Sequence, residues 1–183
     1  NTGLTGGSTP YGANYDRPIV IINTMRIDDI HFIDEGKQII ALPGSTLFDL
    51  ENKLAPIGRE PHSVIGSTSI GASIVGGVCN NSGGSLIQRG PAYTELSIYA
   101  QVNDKGELKL INDLGVELGS SPEEILTNLQ EKNYTSNQVQ FPDKLASDNE
   151  YEKRLRAIDQ STPARFNADK RRLYGVSGSA GKI

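Results

Sequence analysis

Two glycine-rich segments hold the residues best suited to chemistry. The first runs Asn1-Thr2-Gly3-Leu4-Thr5-Gly6-Gly7-Ser8-Thr9-Pro10, and the second spans residues 66–85, with Gly66, Gly71, Gly76, Gly77, Gly83 and Gly84 among Ile, Val, Ser and Asn. Glycine turns the chain through positive φ and leaves no Cβ to block an approaching oxygen, while Ser and Thr hydroxyls add donors. The composition therefore fits backbone N–H groups brought close to a bound anion, and a pyrophosphate is the natural guest. From Pro61 to Gln88 there is no Asp, Glu, Lys or Arg, so any anion held there is held by dipoles. A short helix over residues 71–78 would add favourable partial charge at its N-terminus. The bland alternative is that the glycines only permit tight turns and close packing of helix on strand. Two such loops in one chain favour a nucleotide-like ligand, but spacing leaves both readings open.

Other chemistries find less support. Gly66-Ser67-Thr68-Ser69-Ile70-Gly71-Ala72-Ser73 has the glycine spacing of a P-loop, but Ala72 stands where the phosphate-gripping Lys is required. Gly178-Ser179-Ala180-Gly181-Lys182-Ile183 lacks that spacing and its hydroxyl, and no G-x-G-x-x-G follows a strand as a Rossmann fold needs. Cys79 sits in Gly76-Gly77-Val78-Cys79 and reads as a buried, inert thiol rather than a nucleophile activated by His62. His31 lies in a strand-like run, and two distant histidines with one cysteine make no zinc site, so no metal is expected. Arg59, Glu60 and Arg89 flank the uncharged run and read as a surface ion pair. Lys170-Arg171-Arg172, near Arg165 and diluted by Asp169, reads as a solvated face. The catalytic residues are not identifiable from the sequence.

The elements that must position these loops follow from periodicity. Ile19-Val20-Ile21-Ile22 predicts a short buried strand. Residues 28–34 and 37–42 predict two strands about Asp34-Glu35-Gly36, and Leu47, Leu50 and Leu54 predict a helix stopped by Pro56 and Gly58. Ile65, Ile70, Ile74, Val75 and Val78 make the uncharged run an interior segment rather than a linker. Residues 95–102 and 107–111 predict a hairpin about residues 103–106. Ser121-Pro122-Glu123-Glu124 marks a helix start. Residues 131–150 read as a polar surface excursion, and residues 151–158 as a charged helix.

The chain has 183 residues, 36% hydrophobic and 22% charged, which bounds it to one domain or one domain plus an excursion. A net charge of −4 argues against a nucleic-acid groove. One cysteine excludes an internal disulfide and fits a reducing compartment. No stretch is apolar for long enough to span a bilayer. Asn1 opens inside a glycine-rich turn and residues 182–183 stop as a strand begins, so both ends are expected to be cuts.

Residues 1–10, 59–67, 70–73, 79–85 and 88–95, with Thr162-Pro163-Ala164-Arg165-Phe166-Asn167-Ala168-Asp169 and Ala180-Gly181-Lys182, resemble the bacterial quinone-dependent, FAD-linked D-lactate dehydrogenases. The resemblance covers nearly the whole chain and is weakest around residues 131–150. It implies an α+β FAD-binding domain of the vanillyl-alcohol-oxidase and p-cresol-methylhydroxylase type, with residues 1–183 a part truncated at both ends. By position, Asn1, Thr2, Gly3, Gly7 and Ser8 correspond to the family's first flavin loop, and Gly66, Ser73 and Gly83 to its second set. FAD is expected to be bound without a covalent link. In the family, flavin N5 takes a hydride from C2 of D-lactate to give pyruvate, and the electrons pass to membrane quinone. The resemblance also implies a peripheral place on the cytoplasmic side of the inner membrane, with substrate-selecting and membrane-contacting segments outside these residues. On this reading the fragment alone has no dehydrogenase activity. A same-fold flavoenzyme for another 2-hydroxy acid, or a non-catalytic binding module, is the alternative.

Overall fold

Leucines at every third or fourth position become α1 (Leu47–Leu54), whose Leu47, Leu50 and Leu54 are all buried. Thr46 caps it by accepting the Asp49 N–H, and the chain leaves through Gly58 in the left-handed region, as Pro56 and Gly58 lead one to expect. The computed structural model describes residues 2–3, 9–84, 87–135, 138–140, 143–161 and 174–179. Among these it holds two antiparallel hairpins and four short α-helices, an α+β arrangement.

Strands β1 (Ile30–Ile33) and β2 (Gln38–Ala41) pair antiparallel, with His31 opposite Ile40 and Phe32 opposite Ile39. A 3₁₀ turn at Asp34–Gly36 joins them, with Asp34, Glu35 and Gly36 all at positive φ. Because successive strand residues point to opposite faces, this hairpin serves two cores. Ile30 and Ile39 pack with α1, Ile65 and Ala72 on one side. Ile33 and Ile40 pack with Val116, Leu118, Ile125 and Leu129 on the other. The second hairpin, β3 (Ile98–Val102) and β4 (Leu108–Asn112), joins that second core through Ile98 and Leu110.

Helix α3 (Pro122–Glu131) begins where the sequence marks it. Ser121 Oγ accepts the Glu124 N–H at 3.2 Å, and the Glu124 carboxylate accepts the Ser120 N–H at 2.9 Å. The backbone N–H groups of Ser120 first and Ser121 second hold the Glu124 carboxyl below its usual range. Helix α4 (Tyr151–Arg156) follows, shorter than the sequence predicts.

Other expectations need correction. Ile19-Val20-Ile21-Ile22 forms no strand, and Val20, Ile21 and Ile22 are 82%, 78% and 83% exposed. A strand needs backbone partners on its edges, and no described strand pairs with it. Residues 131–150 are not merely a surface excursion: Tyr134 and Val139 pack on the second core, and Asp148 is buried in an ion pair with Arg154. The helix expected over residues 71–78 starts only at Ile74, because Gly71 adopts φ +87 and the chain must first turn. Ile70, expected to pack, is exposed on that turn, and Cys79 is half-buried rather than enclosed.

Leu118 is the most enclosed aliphatic side chain of the second core at 1% exposure, so Leu118→Ala is expected to cost about 2–5 kcal/mol in urea unfolding. Leu126→Ala, at a position 49% exposed on α3, is expected to stay within about 0.5 kcal/mol.

Candidate functional site

The second glycine-rich segment is anchored by backbone pairing with the start of α1. Leu47 N–H donates to Ala72 O at 2.9 Å and Ile74 N–H to Ser45 O at 3.0 Å, around a bridge between Thr46 and Ser73. Between Ile65 and Ala72 the chain makes a 3₁₀ turn at Thr68–Ile70, closed by Ala72 N–H on Ser67 O at 3.2 Å. Thr68 Oγ1 also donates to Ile65 O at 2.8 Å. Helix α2 (Ile74–Cys79) then starts, with Ser73 Oγ accepting the Gly76 N–H at 3.1 Å. Ser73 keeps its own hydroxyl proton to donate elsewhere.

After α2 the chain folds back. Ser82 N–H donates to Gly77 O at 2.8 Å, and Gly84 lies so close to Val64 that a Cβ on it would sit 1.6 Å from Val64 O. Residues 83–84 therefore run beside residues 64–65, immediately before Gly66. Thr2 reaches the same place: Ser67 Oγ lies 3.5 Å from Thr2 O, the outer limit of a hydrogen bond. The structure thus gathers Thr2, Gly66 and Gly83 around residues 64–67, with exposed Gly3 next to Thr2 and Ser73 just beyond the 3₁₀ turn. Asn1, Gly7 and Ser8 lie outside the described residues, as do Arg165 and the basic run at residues 170–172.

The glycines separate by cause. Packing demands Gly84, and Gly76 has Ser73 Oγ only 2.5 Å from where its Cβ would stand. The left-handed backbone demands Gly71. Gly66 is different: it is exposed, no left-handed φ requires it, and an added Cβ would meet nothing within 4 Å. The space beside it is open to a ligand that approaches the main chain. With two loops meeting there, hydroxyls on Ser67 and Ser73, and no Asp, Glu, Lys or Arg between residues 61 and 88, the local chemistry fits a phosphate held by neutral donors. Packing explains part of the glycine content, and Gly66 is a position where it does not.

The loop's far boundary is structural. His62 Nε2 lies 2.9 Å from Arg89 O, Arg89 pairs with Glu60 at 2.5 Å, and Ser63 Oγ donates to Gly90 O at 3.2 Å. The expected surface ion pair is therefore present, and His62 is engaged with backbone rather than with Cys79. Among the described residues no group of three or more His, Cys, Asp or Glu side chains is gathered, and no helix is long and apolar enough to cross a membrane.

A concavity of about 440 Å³ lies elsewhere, lined by Ile30, His31, Phe32, Lys53, Lys132 and Tyr134. Its centre is a pair the sequence could not signal, because 103 residues separate its members: His31 Nδ1 and Tyr134 Oη share a 2.7 Å hydrogen bond. None of the glycine-loop residues lines it, and His31 Nε2 is buried there without a hydrogen-bond partner among the described residues; the glycine loops, where two segments meet beside open main chain, remain the better candidate for an anionic ligand. Burial first, then the charge of Lys132, hold the His31 pKa below its ordinary 6.5, while Asp29 opposes them.

These features yield two expectations. Gly66→Ala should leave unfolding stability within about 0.5 kcal/mol of the parent, whereas Gly84→Ala should lower the melting temperature sharply, because main chain stands in the way of its Cβ. For His31, the folded form binds a proton more weakly than the unfolded chain does. The stability of the neutral ring is thus complete above pH 6.5 and declines as pH falls below it. Urea midpoints measured from about pH 7 down to about pH 5 should fall in the parent and show a shallower slope in His31→Gln.

No protein-family model matches the chain. Over all 183 residues it is 62% identical to a quinone-dependent D-lactate dehydrogenase of Haemophilus influenzae, 55% to one of Escherichia coli and 51% to one of Corynebacterium glutamicum. In each case it spans 32% of the relative's length.

Proposed function

We propose, from identity of 51–62% with quinone-dependent D-lactate dehydrogenases over all 183 residues, that this chain belongs to that family and is the flavin-binding segment of an enzyme that oxidises D-lactate to pyruvate. The observation that carries the reading is identity of 51–62% over all 183 residues. At that level a shared fold and a common ligand are the economical account of the similarity. The proposed domain is an incomplete FAD-binding unit of the vanillyl-alcohol-oxidase and p-cresol-methylhydroxylase type, completed by further protein at both ends.

Within it, the main chain at Gly66 and the neighbouring Thr2 and Gly3 would hold the pyrophosphate, with Ser73 and Gly83 at the rim. Asn1, Gly7 and Ser8 are assigned to the same loop by family position alone. Bound FAD would supply the redox chemistry, taking a hydride from C2 of D-lactate at N5 and passing two electrons to quinone. This chain's own residues bind and orient the cofactor: they offer N–H and hydroxyl donors, and with no formal cation between residues 61 and 88 they hold the diphosphate by fixed dipoles. Selection of lactate, and peripheral contact with the cytoplasmic face of the membrane, belong in this proposal to parts outside these residues.

The test uses the full-length protein. It should contain FAD that denaturation releases, D-lactate should bleach the flavin band anaerobically, and quinone should restore it. Gly66→Ala should weaken FAD binding by roughly tenfold, worth about 1.4 kcal/mol, without loss of fold. Faster bleaching by another 2-hydroxy acid would move the substrate assignment, and a folded full-length protein that binds no flavin would refute the proposal. The 183-residue chain alone should show no lactate-dependent dye reduction.

A further inference from the structure

The run Ile19-Val20-Ile21-Ile22 is apolar at four successive positions, yet its side chains are 48%, 82%, 78% and 83% exposed. Met25 at 75% and Ile27 at 47% extend the apolar surface. Successive residues of an extended chain point to opposite faces, so a partner docked on one side would leave half of these side chains in water. An ordinary edge strand does not fit either, since edges carry charges or bulges that discourage pairing, and residues 18–25 contain no Asp, Glu, Lys or Arg. β-branched residues at every position, apolar on both faces, are the composition of a strand inside a sheet that is covered on both sides.

The hairpin already extends toward this run. Leu42 N–H donates to Asp29 O at 3.0 Å and Gly44 N–H to Ile27 O at 2.7 Å, so pairing continues past β1 to the root of the exposed segment. Among the described residues the sheet formed by β1 and β2 has two strands, and such a sheet is marginal by itself. The curated relatives are about three times as long as this chain, which spans 32% of them.

We infer that residues 19–22 form an interior strand of a sheet completed by a segment of the same protein outside these 183 residues, which supplies a neighbouring strand and the apolar cover. The inference rests on the proposal that the chain is part of a longer protein, and not on the identity of its cofactor. It makes this run the place where the segment described here is joined to the rest of the molecule.

Amide hydrogen exchange tests it. In the full-length protein the amides of residues 19–22 should exchange on the order of 100-fold or more slowly than in the 183-residue chain. Ile21→Lys should lower the melting temperature of the full-length protein and leave that of the 183-residue chain unchanged. Leu108→Lys, at a β4 position 72% exposed, should affect neither. Free exchange of residues 19–22 in the full-length parent would overturn the inference even if the Ile21 variant failed to fold. Concentration-dependent protection in the short chain without protection in the long one would also overturn it, assigning the strand to a second copy. Flavin content read on the same samples reports separately on the cofactor proposal.

Discussion

The two backbone hydrogen bonds that join Leu47 to Ala72 and Ile74 to Ser45 are the constraint on which the candidate site depends. They fix the entry of α2 against the N-terminus of α1, so the turn between Ile65 and Ala72 is held at its C-terminal end. Ser45 is fully enclosed at this junction and donates its hydroxyl to Leu42 O at 2.6 Å. The helix whose leucines build the first core is thereby also the wall against which the glycine loop is set. Once that turn is placed, the return of residues 82–84 along residues 64–65 leaves the open face of Gly66 at the edge of the assembly. Its main chain can then be met by a ligand without rearrangement, which is the condition for recognition by fixed dipoles.

Glycine content alone is a poor guide to this arrangement, since it conflates several causes. Gly84 is required because main chain passes where a Cβ would be, Gly71 because φ is positive, and Gly76 because the Ser73 cap leaves little room. Among the others, Gly66 stands out by the open space beside it. The functional reading therefore rests on the glycine that neither fold nor packing demands. Sequence identity with D-lactate dehydrogenases then supplies the chemistry that space is proposed to accommodate.

Local signals were legible where the physics is local. The Ser121 cap, the leucine period of α1 and both hairpins could be read from a few neighbouring residues, because capping, periodicity and turn formation are settled within one turn or one strand pair. The β-branched run at residues 19–22 predicted a buried strand, but burial is a property of what lies on either side, and no neighbour among the described residues covers it. The converse holds for Asp148 and Tyr134. They sit in a polar stretch with no local hint of burial, yet Asp148 is buried against Arg154 and Tyr134 is half-buried against His31, partners fixed by tertiary packing. The site was legible in part: composition pointed to the two loops, whereas the proximity of Thr2 to Ser67, 65 residues apart, could come only from the fold.

The most direct measurement is an experimental map of the full-length protein with FAD bound. The account predicts pyrophosphate oxygens within hydrogen-bond distance, about 3 Å, of main-chain N–H groups at Gly66 or Ser67, with Thr2 and Gly3 on the opposing side. A cofactor whose pyrophosphate lies away from residues 64–73, for instance in the concavity beside His31 and Lys132, would contradict it.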